Sequence, residues 1–226
     1  MFFVQLKMKR GFGLNHSSLP VTLKETAFQF IKNNIVNGTW GGGTFLSENL
    51  LCKQLNMSKT PIRSALDRLE MNGLVKLFPK QGAVVSEVSL QKILQIYELR
   101  IALESYAVKR LTGKLETAFF EQMDENIRIQ AILIEKDEIA EYVEMDRQFH
   151  MMIIVGMENE EYTAAMTRIQ DQFLLAVRTT FVKNRERLWG SIKEHRLIRD
   201  ALAGADSELT ERLMIEHIEY VKHIML

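Results

Sequence analysis

The 226-residue sequence has very little cysteine and proline, with one Cys and three Pro. Because Cys52 has no second cysteine to pair with, an internal disulfide and a CxxC-type zinc knuckle are both excluded. The sequence also lacks an apolar run near the roughly 20 residues that a membrane-spanning helix needs, and its opening is too short in apolar residues for a signal sequence. We therefore expect a cytoplasmic protein with no membrane partner.

The formal net charge is also zero, since 29 Lys and Arg residues balance 29 Asp and Glu residues. This balance would argue against a nucleic-acid partner, but it averages two unlike parts of the chain. Residues 1–88 contain 11 basic and 5 acidic residues, whereas residues 89–226 contain 18 basic and 24 acidic residues. A basic module gains affinity for phosphate backbones by releasing counterions, so the first part is the one suited to DNA.

Proline is absent beyond Ser89 and glycine is sparse there, while apolar residues recur at helical spacing almost throughout. This pattern predicts an all-α helical bundle over residues 89–226. Its helices are expected near 89–112, 115–135, 137–156, 159–182, 185–204 and 206–225.

Residues 1–19 show no sustained period and are expected to form a flexible N-terminal arm. Residues 20–88 show three segments of helical spacing and then two β-rich runs around a Pro-Lys-Gln-Gly turn. The predicted helices lie at 22–36, 47–55 and 58–72, and the predicted strands at 74–78 and 83–85. This order is that of a winged helix-turn-helix, so the expected fold class is mainly α, with a DNA-binding domain before the helical bundle.

The third predicted helix carries polar residues where a recognition helix would meet DNA. Ser58, Lys59, Thr60 and Arg63 occupy its first two turns, and the N-terminal residues of such a helix lie against base edges and phosphates. Arg63 can form a bidentate contact to guanine, whereas Lys59 is better suited to a phosphate. Each residue alone fits an ordinary solvated helix start equally well.

The run SKTPIRSALDRLE at 58–70, continued by Asn72-Gly73-Leu74-Val75, resembles the signature of the GntR family of bacterial regulators. The resemblance covers roughly residues 20–88. It implies that seven residues contact DNA, the last two through the wing: Asn49, Ser58, Lys59, Thr60, Arg63, Gln81 and Gly82. Lys59 stands where arginine is usual in the family, which bears on the operator sequence more than on DNA binding itself.

Three helices of the second part carry metal-binding residue types on apolar faces. Asp146 and His150 are spaced i and i+4 on one helix, so both point the same way, into the apolar stripe of that helix. His195 and His217 also lie on apolar faces, whereas His223 falls on a polar face. The apolar row expected on the helix of His217 contains Leu213, Tyr220 and Ile224. A buried carboxylate needs a hydrogen bond, an opposite charge or a metal.

One aspartate and three histidines suit Zn, Ni or Mn, because imidazole suits the first two ions and carboxylate the third. The alternative is a set of hydrogen-bonded core histidines. The spaced residues also resemble the FadR-like branch of GntR regulators, which has an all-helical C-terminal (FCD) domain: Arg100, Glu104, Asp146, Phe149-His150, Glu194-His195, Asp206 and His217. In metal-containing members of that branch, an aspartate and three histidines at matching places hold the ion.

Arg100 shares a helix row with apolar residues and is expected to face the interior of the bundle. An inward arginine needs an anion. Glu104 at i+4 can supply one and make the pair purely structural, or Arg100 can receive the carboxylate of a small effector. The sequence leaves both interpretations open.

Taken with the resemblance, these residues predict a homodimer that binds a palindromic operator and responds to a small carboxylate effector. We expect no enzymatic activity. Two alternatives stay open at this point: a metal-free regulator that binds an acyl chain, and a metal-dependent hydrolase.

Overall fold

The computed structural model describes the backbone of residues 22–181 and 185–224. It describes the side chains of residues 22–173 and 186–222. The predicted arm, residues 1–19, and the side chain of His223 lie outside these ranges. The described residues form a mainly helical fold with one small sheet, in this order: α1 Leu23–Val36, β1 Phe45–Ser47, α2 Glu48–Leu55, α3 Lys59–Met71, β2 Val75–Phe78, β3 Gly82–Val85, α4 Leu90–Leu111, α5 Thr117–Glu135, α6 Ile139–Gly156, α7 Glu160–Phe181, α8 Arg185–Ala203, α9 Ser207–Ile224. Among these helices, none is both long and apolar enough to cross a membrane.

The first three helices and the sheet share one apolar core. Thr22 caps α1 by accepting a hydrogen bond from the backbone N–H of Glu25 at 3.2 Å, and the apolar residues of α1 then fall on one face. The fully buried members of this core include Phe28, Ile31, Ile62, Leu66, Leu69 and Leu74. The predicted helix positions are confirmed to within one residue at most ends.

The sheet has the strand order β1-β3-β2, with both neighbouring pairs antiparallel. The β1 strand was not predicted, because three residues are too short to show a period of two. Its pairing with β3 brings Ser47 opposite Gly82. At Gly82 the backbone has φ +145°, and a Cβ there would lie 2.0 Å from the carbonyl oxygen of Leu46. The position therefore requires glycine.

Substituting Gly82 by alanine should disrupt the pairing of β1 with β3. We expect the free energy of unfolding to fall by about 1–3 kcal/mol, since the residue would be strained and its Cβ would clash with backbone. Gly41→Ala is the control, because a Cβ at Gly41 meets no described atom within 4 Å. Urea unfolding of both variants tests this, and equal stability of the two would contradict the steric account.

The remaining helices, α4 to α9, enclose a second core that is separate from the first. The α4 helix packs mainly on α9, α5 packs on α6 and α8, and α7 packs on α6 and α4. The predicted helices differ from the observed ones by a few residues at their ends. The apolar row predicted for the last helix was partly wrong, because Tyr220 is 54% exposed and Met214, Ile218 and Val221 are the residues buried beside His217.

Candidate DNA-binding surface and buried histidine site

Six of the seven residues predicted to contact DNA are exposed at the surface around the first core: Asn49, Ser58, Lys59, Thr60, Arg63 and Gln81. Ser58 is the N-cap residue of α3, although its side chain makes no capping hydrogen bond. The seventh residue, Gly82, is buried, and a Cβ there would meet the carbonyl oxygen of Leu46. The structure thus gives a steric reason for glycine at this position, and its contact with DNA stays a prediction.

Arg63 on α3 is held by an acidic residue of the neighbouring helix α2, a pairing that was not predicted from the sequence. Its Nε and Nη2 donate to the carboxylate of Glu48 at 2.9–3.0 Å. The side chain of Glu48 is 8% exposed and that of Arg63 is 49% exposed. The guanidinium group is therefore fixed in place at the start of α3 while half of the side chain stays accessible.

The helical bundle brings together the four residues predicted to bind a metal. His150, His195 and His217 each direct a ring nitrogen into one cluster, within which these nitrogens lie no more than 4.8 Å apart. The Nε2 atoms of His150 and His217 are 3.3 Å apart, and Asp146 Oδ1 lies 3.6 Å from His195 Nε2. All three imidazoles are at most 3% exposed.

Each imidazole is oriented by an acceptor on the far side of its ring. His150 Nδ1 contacts Glu104 Oε2, His195 Nδ1 lies 3.0 Å from Gln130 Oε1, and His217 Nδ1 lies 2.6 Å from Glu194 Oε2. A neutral imidazole has one N–H, and an oxygen acceptor beside Nδ1 places the proton there. The three Nε2 atoms are then left with lone pairs that face one another.

These partners are themselves held in place. Gln130 Nε2 donates to Asn126 Oδ1 at 2.7 Å, and Asn126 Nδ2 donates to the carbonyl of Met145 at 3.0 Å, so the amide oxygen of Gln130 faces His195. Arg187 donates twice to the carboxylate of Glu194, at 2.6 and 2.8 Å. Such supporting hydrogen bonds are typical of metal-binding histidines.

The cluster fits a divalent cation. Lone pairs that face each other inside a protein core repel, and His195 Nε2 is buried with no hydrogen-bond partner among the residues that the structure describes. Nitrogen ligands about 2.0 Å from an ion at tetrahedral angles lie about 3.3 Å apart. The separation of the Nε2 atoms of His150 and His217 is 3.3 Å. The three histidines could therefore hold a metal, with Asp146 beside them.

The protonation states also suit metal binding. Burial lowers the pKa of His195 well below its usual value, and a positive charge on His217 or His150 would act in the same direction. Burial likewise lowers the pKa of His217 and outweighs the opposing hydrogen bond with Glu194. Both imidazoles are thus neutral near pH 7, which is the form that binds metals.

Arg100 is buried, as predicted, and its Nε donates to Glu104 Oε1 at 2.8 Å. The structure therefore contains the Arg100–Glu104 pair that the structural interpretation of Arg100 requires. Burial alone would raise the pKa of Glu104, but Arg100 and His150 lower it to about 2. Because Glu104 also contacts His150, it connects the inward arginine directly to the histidine cluster.

Two family models match the chain. The model described as bacterial regulatory proteins of the gntR family matches residues 23–85, and the model of the FCD domain matches residues 95–220. The chain belongs to the GntR family. The resemblance seen in the sequence is thereby confirmed, and the first and second cores coincide with the two matched regions.

Relatives of this GntR-family chain are transcriptional regulators. The HTH-type transcriptional repressor RspR of Escherichia coli K12 is 24% identical over 88% of this chain and 87% of the relative. The gluconate operon transcriptional repressor of Bacillus subtilis is 24% identical over 85% and 80%, and a regulator in an unstable DNA locus of Streptomyces ambofaciens is 30% identical over 79% and 75%. These names describe regulators of transcription.

Solved structures show the same fold. E. coli McbR/YncC matches 91% of this chain and 97% of its own with a TM-score of 0.81 at 22% identity. A putative GntR regulator from Rhodococcus sp. RHA1 matches with a TM-score of 0.78 at 19% identity, over 89% of this chain and 96% of that chain.

Proposed function

We propose that this GntR-family chain is a cytoplasmic, homodimeric regulator that binds a palindromic operator through residues 20–88 and senses a small carboxylate through residues 89–226. The observation that carries the proposal is the pairing of an exposed polar recognition helix with a buried, pre-oriented three-histidine site in one chain. A recognition helix reads one half-site, so a twofold protein matches a twofold operator.

Asp146, His150, His195 and His217 are the proposed metal ligands, and the proposed ion is Zn, Ni or Mn. The three nitrogen donors favour Zn or Ni, and the carboxylate accommodates Mn. When bound, the ion supplies a positive centre that attracts an anionic ligand.

The charges around the site favour a carboxylate effector. Asp146, Glu104 and Glu194 carry negative charge, while Arg100 and Arg187 carry positive charge. The protein groups together leave a surplus of one negative charge, and a divalent cation turns this into a surplus of one positive charge. A single carboxylate then neutralises the buried site, and we propose that Arg100 helps to receive it.

A thermal-shift screen of small carboxylates, run with and without Zn, Ni or Mn, tests the sensing part of the proposal. A ligand that binds only the native state raises the melting temperature by mass action. We expect certain carboxylates to stabilise the metal-loaded protein and to have no effect after chelation. Stabilisation by acyl chains without any metal would contradict the proposal.

We propose that Asn49, Ser58, Lys59, Thr60, Arg63 and Gln81 contact DNA. Arg63→Ala should weaken operator binding by about 1–3 kcal/mol if Arg63 reads a base. Lys59→Ala should instead make the plot of log affinity against log salt concentration less steep, by the amount that corresponds to about one phosphate contact. Fluorescence anisotropy at several salt concentrations distinguishes these results. If Arg63→Ala lowers the affinity for operator DNA and for random DNA equally, base readout by Arg63 is contradicted.

Footprinting on the operator tests the proposed dimer. A footprint without an inverted repeat would contradict it.

A further inference from the structure

The two cores are linked by polar contacts from two consecutive residues of α7. Asp171 Oδ1 lies 2.7 Å from Lys32 Nζ on α1, and the side chains are 2% and 19% exposed. Gln172 Nε2 donates to the carbonyl of Asn72 at 2.7 Å. Asn72 is the C-cap residue of α3, so Gln172 binds one of the backbone carbonyls that the end of that helix leaves without an intrahelical partner.

Gly73 allows this close approach. It has φ +74°, and a Cβ at this position would lie 2.4 Å from Gln172 Nε2. The end of the recognition helix therefore fits directly against α7. Val36 at the end of α1 also packs against the second core, which places the contact with Lys32 at the same boundary between the two cores.

The next residue of α7, Phe173, lies on the side of the histidine site. Its ring packs edge-on against Tyr97 with centroids 5.4 Å apart, and the guanidinium carbon of Arg100 lies 4.7 Å from the centre of the Phe173 ring. Arg100 in turn binds Glu104, which contacts His150. These contacts, together with the chain bond between Gln172 and Phe173, connect a proposed metal ligand to the end of α3.

We propose that α7 couples occupancy of the histidine site to the position of the recognition helix; this inference rests on the proposed metal site. Phe173 contacts the residues beside the histidine site. Asp171 and Gln172 contact the first core, through Lys32 and Asn72. An ion pair and a hydrogen bond join the first core to α7 here, and Asp171 Oδ2 and Gln172 Oε1 are buried without hydrogen-bond partners among the described residues. A second arrangement that supplies partners to these oxygens is one that a ligand can favour through a modest difference in affinity.

Hydrogen–deuterium exchange of the full-length protein with Zn²⁺ alone as the probe tests the coupling. In the wild type, Zn²⁺ should slow exchange in peptides of α6, α8 and α9, and should change exchange at least threefold in peptides covering 29–36 and 68–76. In the double variant Asp171→Asn/Gln172→Ala, the response of α6, α8 and α9 should remain while the response at 29–36 and 68–76 falls below twofold. The first response also shows that the variant is folded.

Lys32→Met should lose the response at 29–36, and Lys24→Met is its matched control on the exposed side of α1. Protection of α6, α8 and α9 with no change at 29–36 and 68–76 in the wild type would overturn the coupling while leaving the metal site intact. An undiminished response in the double variant would also overturn it. If Zn²⁺ protects none of α6, α8 and α9, the proposed metal site is wrong, and the coupling that rests on it is wrong as well.

Discussion

Replacing Arg100 with methionine is expected to lower the free energy of unfolding of the helical domain by about 3–5 kcal/mol, because it leaves the buried carboxylate of Glu104 without its charged partner. Glu104 is 0% exposed, and in the wild type Arg100 and His150 hold its pKa at about 2 against the raising effect of burial. Without Arg100 the carboxyl group must either stay charged without its partner or take up a proton, and both cost stability. The remaining contact with His150 does not replace a full positive charge.

The double variant Arg100→Met/Glu104→Gln should recover most of this loss, because no unpaired charge is then buried and the amide oxygen still accepts from His150. Arg128→Met is the matched control, since Arg128 pairs with Glu125 at 2.7 Å with both side chains exposed. Its effect should be within about 1 kcal/mol. Urea unfolding followed by Trp189 fluorescence in a Trp40→Phe background gives the required free energies. A loss at Arg100 no greater than that at Arg128 would show that the buried pair is not coupled as described.

Removing the metal is expected to lower the melting temperature by roughly 8–16 °C. An ion present at 1,000 times its dissociation constant stabilises the native state by about 4 kcal/mol, and each kcal/mol corresponds to about 2–4 °C for a chain of this size. His195→Ala or His217→Ala should lower metal content and lose this stabilisation.

His223→Ala is the control and should keep the metal content of the wild type. Elemental analysis of gently purified protein gives the metal content, and scanning fluorimetry before and after chelation gives the shift. Protein that contains no metal and gains no stability from added Zn, Ni or Mn would contradict the proposed site.

Most of the architecture was predictable from periodicity and from the placement of proline and glycine. The six helices after Ser89 follow one another with apolar faces of constant spacing, and local pattern alone locates them. The β1 strand was missed because its three residues are specified by pairing with β3, which is a long-range contact. The exposure of Tyr220 was missed for a similar reason, since a helix row does not show which neighbouring helix covers it.

The clustering of Asp146, His150, His195 and His217 was predictable because these residues lie on apolar helix faces, where polar side chains need an explanation. Gln130 and Asn126 had no such signal: both belong to a helix that the sequence analysis did not connect with the site. The contact between Glu48 and Arg63 spans two helices and was likewise not visible in either helix alone. The ligand assignments and the DNA contacts stay predictions until they are measured.

The most direct test of the whole account is the affinity of metal-loaded protein for an operator selected from random DNA, measured by fluorescence anisotropy with and without a carboxylate found in the thermal-shift screen. We expect the carboxylate to change operator affinity by about 5- to 150-fold, the usual range for coupling between sites. The change should disappear after chelation and in His195→Ala. Operator affinity that is the same with and without the bound carboxylate would contradict the claim that the histidine site controls DNA binding.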